Sequence, residues 1–175
     1  MHRKLNLFTT VLFVLFTSNL SSLDLVIDGN LDEADWLNAR EITKYYESLP
    51  YTLNDASGSQ KVLVLEDEKG IYLGFISYQA NETIRTQKHQ RDDEMANADM
   101  VGVSIDFDGD GLLSYGFSIS AGGSILDNVV RNENEVNYDW DSDWGYGVSI
   151  DGDAWYAEMF IPCLLYTSPS PRDRG

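Results

Sequence analysis

The chain has 175 residues, 43% of them hydrophobic and 12% aromatic, and a formal net charge of −17. That apolar and aromatic content excludes a disordered chain, and so much negative charge argues against nucleic-acid or anionic-membrane partners. With a single cysteine, Cys163, a disulfide framework is excluded as well.

At the start, His2, Arg3 and Lys4 precede an apolar run over residues 5–16 and a small, polar stretch over 17–22, the order of a secretory signal. Asn6, Thr9 and Thr10 interrupt the run, which makes it too short and too polar for a spanning helix. Residues 1–22 are therefore expected to be a signal peptide and the protein to be exported to the periplasm, the outer membrane or the exterior. No Ala-x-Ala site marks the cleavage, so an uncleaved anchor is the alternative reading. No cysteine follows the run, which argues against a lipoprotein.

Residues 27–36, Ile-Asp-Gly-Asn-Leu-Asp-Glu-Ala-Asp-Trp, combine a glycine turn, an acidic helix start and a buried-type aromatic. A short helix is expected over residues 32–40. Residues 55–60 read as a loop, 62–65 and 71–78 as a hairpin across the acidic loop 66–70, and 92–98 as a helical turn. Residues 100–107 alternate and are answered by 113–120 across Asp108-Gly109-Asp110-Gly111, a second hairpin. Further strands are expected over 124–130, 145–150 and 155–161, the last with apolar residues on both faces. Short strands with tight turns and little helix predict an all-β sandwich.

Three constellations carry candidate chemistry. Asp106, Asp108 and Asp110 place acidic residues at alternate positions with Gly111 sixth, as in a calcium loop. Position twelve is Phe117 rather than a bidentate Glu, so an EF-hand is excluded; a solvated hairpin turn and a different calcium site stay open. Tyr138-Asp139-Trp140-Asp141-Ser142-Asp143-Trp144 interleaves rings with carboxylates, the vocabulary of sugar recognition: indole faces stack on pyranose C–H groups while acids accept hydroxyl hydrogen bonds. One of Trp140 and Trp144 is equally suited to the core. Arg91, among Asp92, Asp93 and Glu94 and near Asp99, suits a sugar contact or a structural ion pair. Paired carboxylates for glycoside hydrolysis arise by chance in so acidic a chain, and His89 stands alone outside the signal, so no histidine triad is available.

The last segment, Cys163-Leu164-Leu165-Tyr166-Thr167-Ser168-Pro169-Ser170-Pro171-Arg172-Asp173, continues no preceding pattern. It resembles an in-frame translation of a transposase-based sequencing adapter, TGT CTC TTA TAC ACA TCT followed by CCG AGC CCA CGA GAC. Residues 163–175 are accordingly set outside the domain, leaving 23–162 as one unit with one core. The remainder is more acidic still, since the two ends carry Arg3, Lys4, Arg172 and Arg174 against Asp173 alone.

Ile27-Asp28-Gly29, Leu31-Asp32-Glu33 and Trp36, then Gly70-Ile71-Tyr72-Leu73-Gly74, then Arg91-Asp92-Asp93, Asp99, Val101-Gly102-Val103 and Asp106, and finally Trp140, Trp144, Trp155, Glu158, Ile161 and Pro162 follow one pattern. In that order they resemble the family 9 carbohydrate-binding modules, DOMON-like β-sandwiches. The resemblance is closest to the module that opens bacterial exported proteins with a following outer-membrane β-barrel region. It implies a β-sandwich that binds polysaccharide or oligosaccharide, often with calcium, and is tethered to polysaccharide breakdown. Trp140 and Trp144 are then the stacking candidates, with Tyr138, Arg91 and Asp99 as further sugar contacts and Asp106, Asp108 and Asp110 as the calcium ligands. After Ile161-Pro162 the family continues with another strand, so a sandwich lacking its C-terminal strand is expected. A non-catalytic binding module is the first reading, a structural or interaction domain of a barrel protein the second, and a glycoside hydrolase fragment the third.

Overall fold

The computed structural model describes residues 22–48, 52–56, 59–80, 83–93, 97–132 and 134–163. The signal-peptide reading of residues 1–21 and the adapter reading of 164–175 lie outside the described residues. Within them the chain forms two antiparallel sheets. The first has five strands in the order β1-β2-β3-β9-β8: β1 (Arg40–Ile42), β2 (Ser59–Glu66), β3 (Gly70–Tyr78), β8 (Gly145–Asp151) and β9 (Ala154–Pro162). The second has four in the order β4-β5-β6-β7: β4 (Met100–Ile105), β5 (Leu113–Ser120), β6 (Ile125–Arg131) and β7 (Glu135–Asn137). The expected all-β sandwich is what forms.

Alternation sets the inner faces. Leu73 and Phe75 of β3 face Phe117 and Ile119 of β5, with Trp155, Ala157, Met159 and Ile161 of β9 completing the central cluster. Phe117, Ile119, Ala157, Met159 and Ile161 are all 0% exposed. A second cluster lies on the opposite face of the five-stranded sheet, where Trp36, Leu63 and Tyr72 are packed against Leu23, Leu25, Ile27, Leu31, Leu65 and Phe160. Residues 22–38 therefore strap the outer face, and β3 and β9 are covered on both sides, as expected for the last strand.

The strap is seated by a row of three residues. Gly74 of β3, Glu158 of β9 and Gly147 of β8 are register partners across three strands, so glycine on either side leaves a recess over one carboxylate. The backbone N–H groups of Asp28 and Gly29 donate to Glu158 Oε2 at 2.9 and 2.8 Å, and Trp36 Nε1–H donates to Oε1 at 3.1 Å. The glycines are required by contact: a Cβ on Gly147 would lie 2.4 Å from the carbonyl carbon of Asp28. On Gly29, where φ is +93°, it would lie 2.4 Å from that of Val148.

Some local expectations need correction. The helix expected over 32–40 is a single 3₁₀ helix, Ala34–Asn38, because the Glu33 carboxylate accepts Val26 N–H rather than capping the helix. Strand β4 stops at Ile105, where Asp106 turns the chain onto its own backbone. The loop expected over 55–60 contains a bridge from Asp55 to Tyr46 and the start of β2; residues 57–58 lie outside the description. Of the turn expected over 92–98, residues 94–96 lie outside it too. The strands β1 and β7 were not anticipated: each has three exposed residues and no alternation to detect.

Candidate functional site

Between β7 and β8 the chain crosses from one sheet to the other, and residues 83–93 run alongside. The two segments meet at β6. Its inner-face pattern Ile125, Asp127, Val129 places a carboxylate at a core position, directly across from Phe117. Asp127 is 0% exposed, so it needs compensating charge and hydrogen bonds. Arg91 Nη2 donates to both its oxygens, at 2.7 and 2.8 Å, and Ser142 N–H donates to Oδ2 at 2.8 Å.

Arg91 is held on its other side by Asp141 Oδ1, 3.0 Å from Nε, and by Asp92 Oδ2 at 3.4 Å. Asp92 also accepts Asp127 N–H at 3.0 Å and donates its own N–H to Ile125 O at 3.1 Å, extending the ladder where β7 does not reach. That docking puts Asp92 at φ 60°, a left-handed conformation aspartate tolerates better than most residues. Burial works against charge on Arg91, but its bond to Asp127 and the fields of Asp127, Asp141 and Asp92 prevail and hold the guanidinium protonated. Burial pushes the Asp127 carboxyl up, with the Ser142 N–H and Arg91 opposing. The result is a rigid polar knot whose inner end is sealed and whose outer end, with Arg91 40% and Asp141 46% exposed, faces solvent.

The candidate residues divide. Arg91 is in this knot, and Trp140 and Tyr138, both half-buried, belong to the crossing that brings Asp141 to it. Asp99 belongs to a different network, taking Arg85 Nε and Nη2 on Oδ1 and Arg85 N–H and Gln79 Nε2 on Oδ2. Trp144 is only 6% exposed and packs edge-on against Phe117, with ring centroids 5.5 Å apart. It presents no face for stacking. Trp140 packs on Tyr115 at 5.0 Å, and Tyr146 adjoins Trp144 at 5.2 Å with 43% of its surface exposed. Asp127 and Tyr146 were missed. A charged residue within the Ile125-x-Asp127-x-Val129 alternation was the available signal for the first.

Asp106 accepts backbone N–H groups of its own turn, from Asp108 at 3.1 Å, Gly109 at 2.8 Å and Gly111 at 2.7 Å. These bonds, that from Gly111 foremost, hold its carboxyl below the usual range. Asp110 accepts Leu112 N–H, and Asp108 and Asp110 are exposed. Among the described residues, the three acidic side chains whose oxygens lie within 4.8 Å of one another are instead Asp92, Asp127 and Asp141. Arg91 already serves as the cation there, so a divalent ion does not fit that cluster.

No protein-family model matches the chain, and no curated protein is significantly similar to it. Solved structures do match. One is a candidate carbohydrate-binding protein of Bacteroides uniformis, at TM-score 0.59 and 14% identity over 78% of this chain and 66% of that one. Another is a family 9 carbohydrate-binding module of Caldicellulosiruptor kristjanssonii solved with glucose, at TM-score 0.53 and 17% identity over 87% of this chain and 69% of that one. The chain thus spans about two thirds of the length of each. Its sandwich is that of the family 9 carbohydrate-binding modules.

Proposed function

We propose that the domain is a non-catalytic carbohydrate-binding module, with the Arg91–Asp92–Asp141 surface and the adjoining Trp140 ring as its sugar site. The observation that carries this reading is the anchoring of Arg91. A fully buried carboxylate fixes one side of a guanidinium whose other side reaches solvent between two acids. Sugar hydroxyls require donors and acceptors already in place, because ordering flexible side chains on binding costs affinity. The sugar-bound state of a module sharing this fold supports the class of ligand. The apolar stretch of residues 5–16 supports export, and with it a role in polysaccharide binding or breakdown outside the cytoplasm.

Titration of the protein with glucose, cello-oligosaccharides and xylo-oligosaccharides by calorimetry tests the site. Asp141→Asn removes an exposed acceptor charge, and Arg91→Lys keeps the charge facing Asp127 while losing the planar fork. Each is expected to weaken binding about tenfold, the scale of one charged hydrogen bond. Wild-type protein that binds none of these sugars, or variants that bind as wild type does, would overturn the assignment.

One observation favours a second reading, an interaction domain without a glycan ligand. At the free edge of β4 the sandwich opens into an apolar groove of about 370 Å³, lined by residues including Ile42, Val62, Val64, Phe75, Val103 and Ile105. Apolar surface of this kind suits protein contact better than sugar.

A further inference from the structure

The row Gly74–Glu158–Gly147 divides the outer face of the five-stranded sheet into two halves of different character. On one side, the register partners Leu65, Tyr72 and Phe160 lie under the strap. On the other, two rows cross four strands, Lys61–Ile76–Tyr156–Ser149 and Ser59–Tyr78–Ala154–Asp151. Apolar side chains and rings occupy the two middle strands of this half, and polar residues flank them on β2 and β8. Tyr78 is 53% exposed, and Ile76 and Tyr156 are half-buried. The two tyrosines are diagonal neighbours, about 7 Å apart along the backbone, and neither hydroxyl enters a hydrogen bond among the described residues. A groove of about 320 Å³ between the 3₁₀ helix and β2, with Leu37, Lys61 and Ile76 in its lining, adjoins the patch.

We propose that this uncovered half is a second glycan site, which takes an extended chain of an insoluble, neutral polysaccharide across Tyr78 and Tyr156. The proposal rests on the carbohydrate reading above for the class of ligand and adds a contact on the other sheet from Arg91, which docks against β6. A pyranose has the complementary build: C–H faces that stack on rings, and hydroxyls around its edge that seek polar partners. Charge points to a neutral glycan. Lys61 is met by Glu41 at 3.1 Å, and Asp151 stands on the opposite flank, so neither sign dominates the patch. A protein partner would need about 800 Å² on this side, more than two rings and one isoleucine supply. A second copy of the chain would bring another charge of −17 against the first.

Depletion binding of the whole chain to microcrystalline cellulose, run beside calorimetry with cello-oligosaccharides, tests this. The wild type is expected to bind the cellulose, and Tyr78→Ala and Tyr156→Ala each to bind it about tenfold more weakly, the scale of one lost ring contact. Tyr78→Phe keeps the ring and is expected to bind as the wild type does. Asp141→Asn is expected to weaken the soluble sugar while leaving cellulose binding intact, so the two sites fail separately. If Tyr156→Ala does not fold, the two variants of Tyr78, exposed at the end of β3, decide the question. Cellulose binding that is absent from the wild type, or unchanged in Tyr78→Ala, would overturn the second site and leave the Arg91 assignment to its own titration.

Discussion

At the scale of single residues, the molecule treats its ion pairs very unequally. Arg91 meets a carboxylate with no access to water, whereas Lys61 and Glu41, 3.1 Å apart on neighbouring strands, have side chains 33% and 53% exposed. Removing one member of a buried pair strands the other without solvent or counter-charge. Arg91→Ala is expected to destabilise the fold by about 3 kcal/mol, the lower end of the range because the arginine is itself partly exposed. Lys61→Ala is expected to cost less than about 1 kcal/mol. Urea denaturation of both variants measures the difference, and equal costs would show that Asp127 is better compensated than the geometry indicates.

At the scale of elements, the strap, β8 and the tight turns use glycine for different reasons, and substitution separates them. Gly29 and Gly147 sit where two backbones touch, each with a would-be Cβ 2.4 Å from main-chain atoms. Gly109 and Gly152 have positive φ but open space around them. Gly29→Ala and Gly147→Ala are expected to cost more than about 2 kcal/mol, since backbone must move. Gly109→Ala and Gly152→Ala should cost about 1 kcal/mol, the conformational term alone. Thermal unfolding monitored by circular dichroism ranks the four. The β4–β5 turn also permits a metal test. If calcium binds at Asp106, Asp108 and Asp110, millimolar calcium raises Tm in the wild type, and Asp108→Asn with Asp110→Asn abolishes the rise.

At the scale of the whole molecule, one buried acid ties stability to pH. The folded pKa of Glu158, about 7, lies above its ordinary value of 4.5. A group raised on folding contributes stability that is fully present below the unfolded value and is lost as pH rises through the folded one. The fold should therefore lose up to about 3 kcal/mol between pH 4.5 and 7 from this group. Denaturation midpoints taken across that window check it, and Glu158→Gln should flatten the profile. A wild-type profile that rises over the same interval would show that other carboxylates dominate.

The sequence by itself determined the all-β sandwich, both long hairpins and the double covering of the last strand, because period-two alternation and Asp-Gly turns are local physics. It also brought Arg91 and the 138–144 segment forward as candidates, since rings among carboxylates stand out without any structure. Tertiary structure decided which of them belong together. Asp99 and Arg91, eight positions apart, enter separate networks, while Asp127, 36 positions from Arg91, becomes its partner. Trp144 went to the core and Trp140 stayed half-exposed, a choice set by where the crossing meets Phe117 rather than by composition. The short strands β1 and β7 were invisible because three exposed residues carry no period. Glu158 shows the limit most clearly. Along the chain it is one acid in an alternating strand; only the Gly74–Glu158–Gly147 row across three strands makes it the seat of a strap whose Asp28 lies 130 residues earlier.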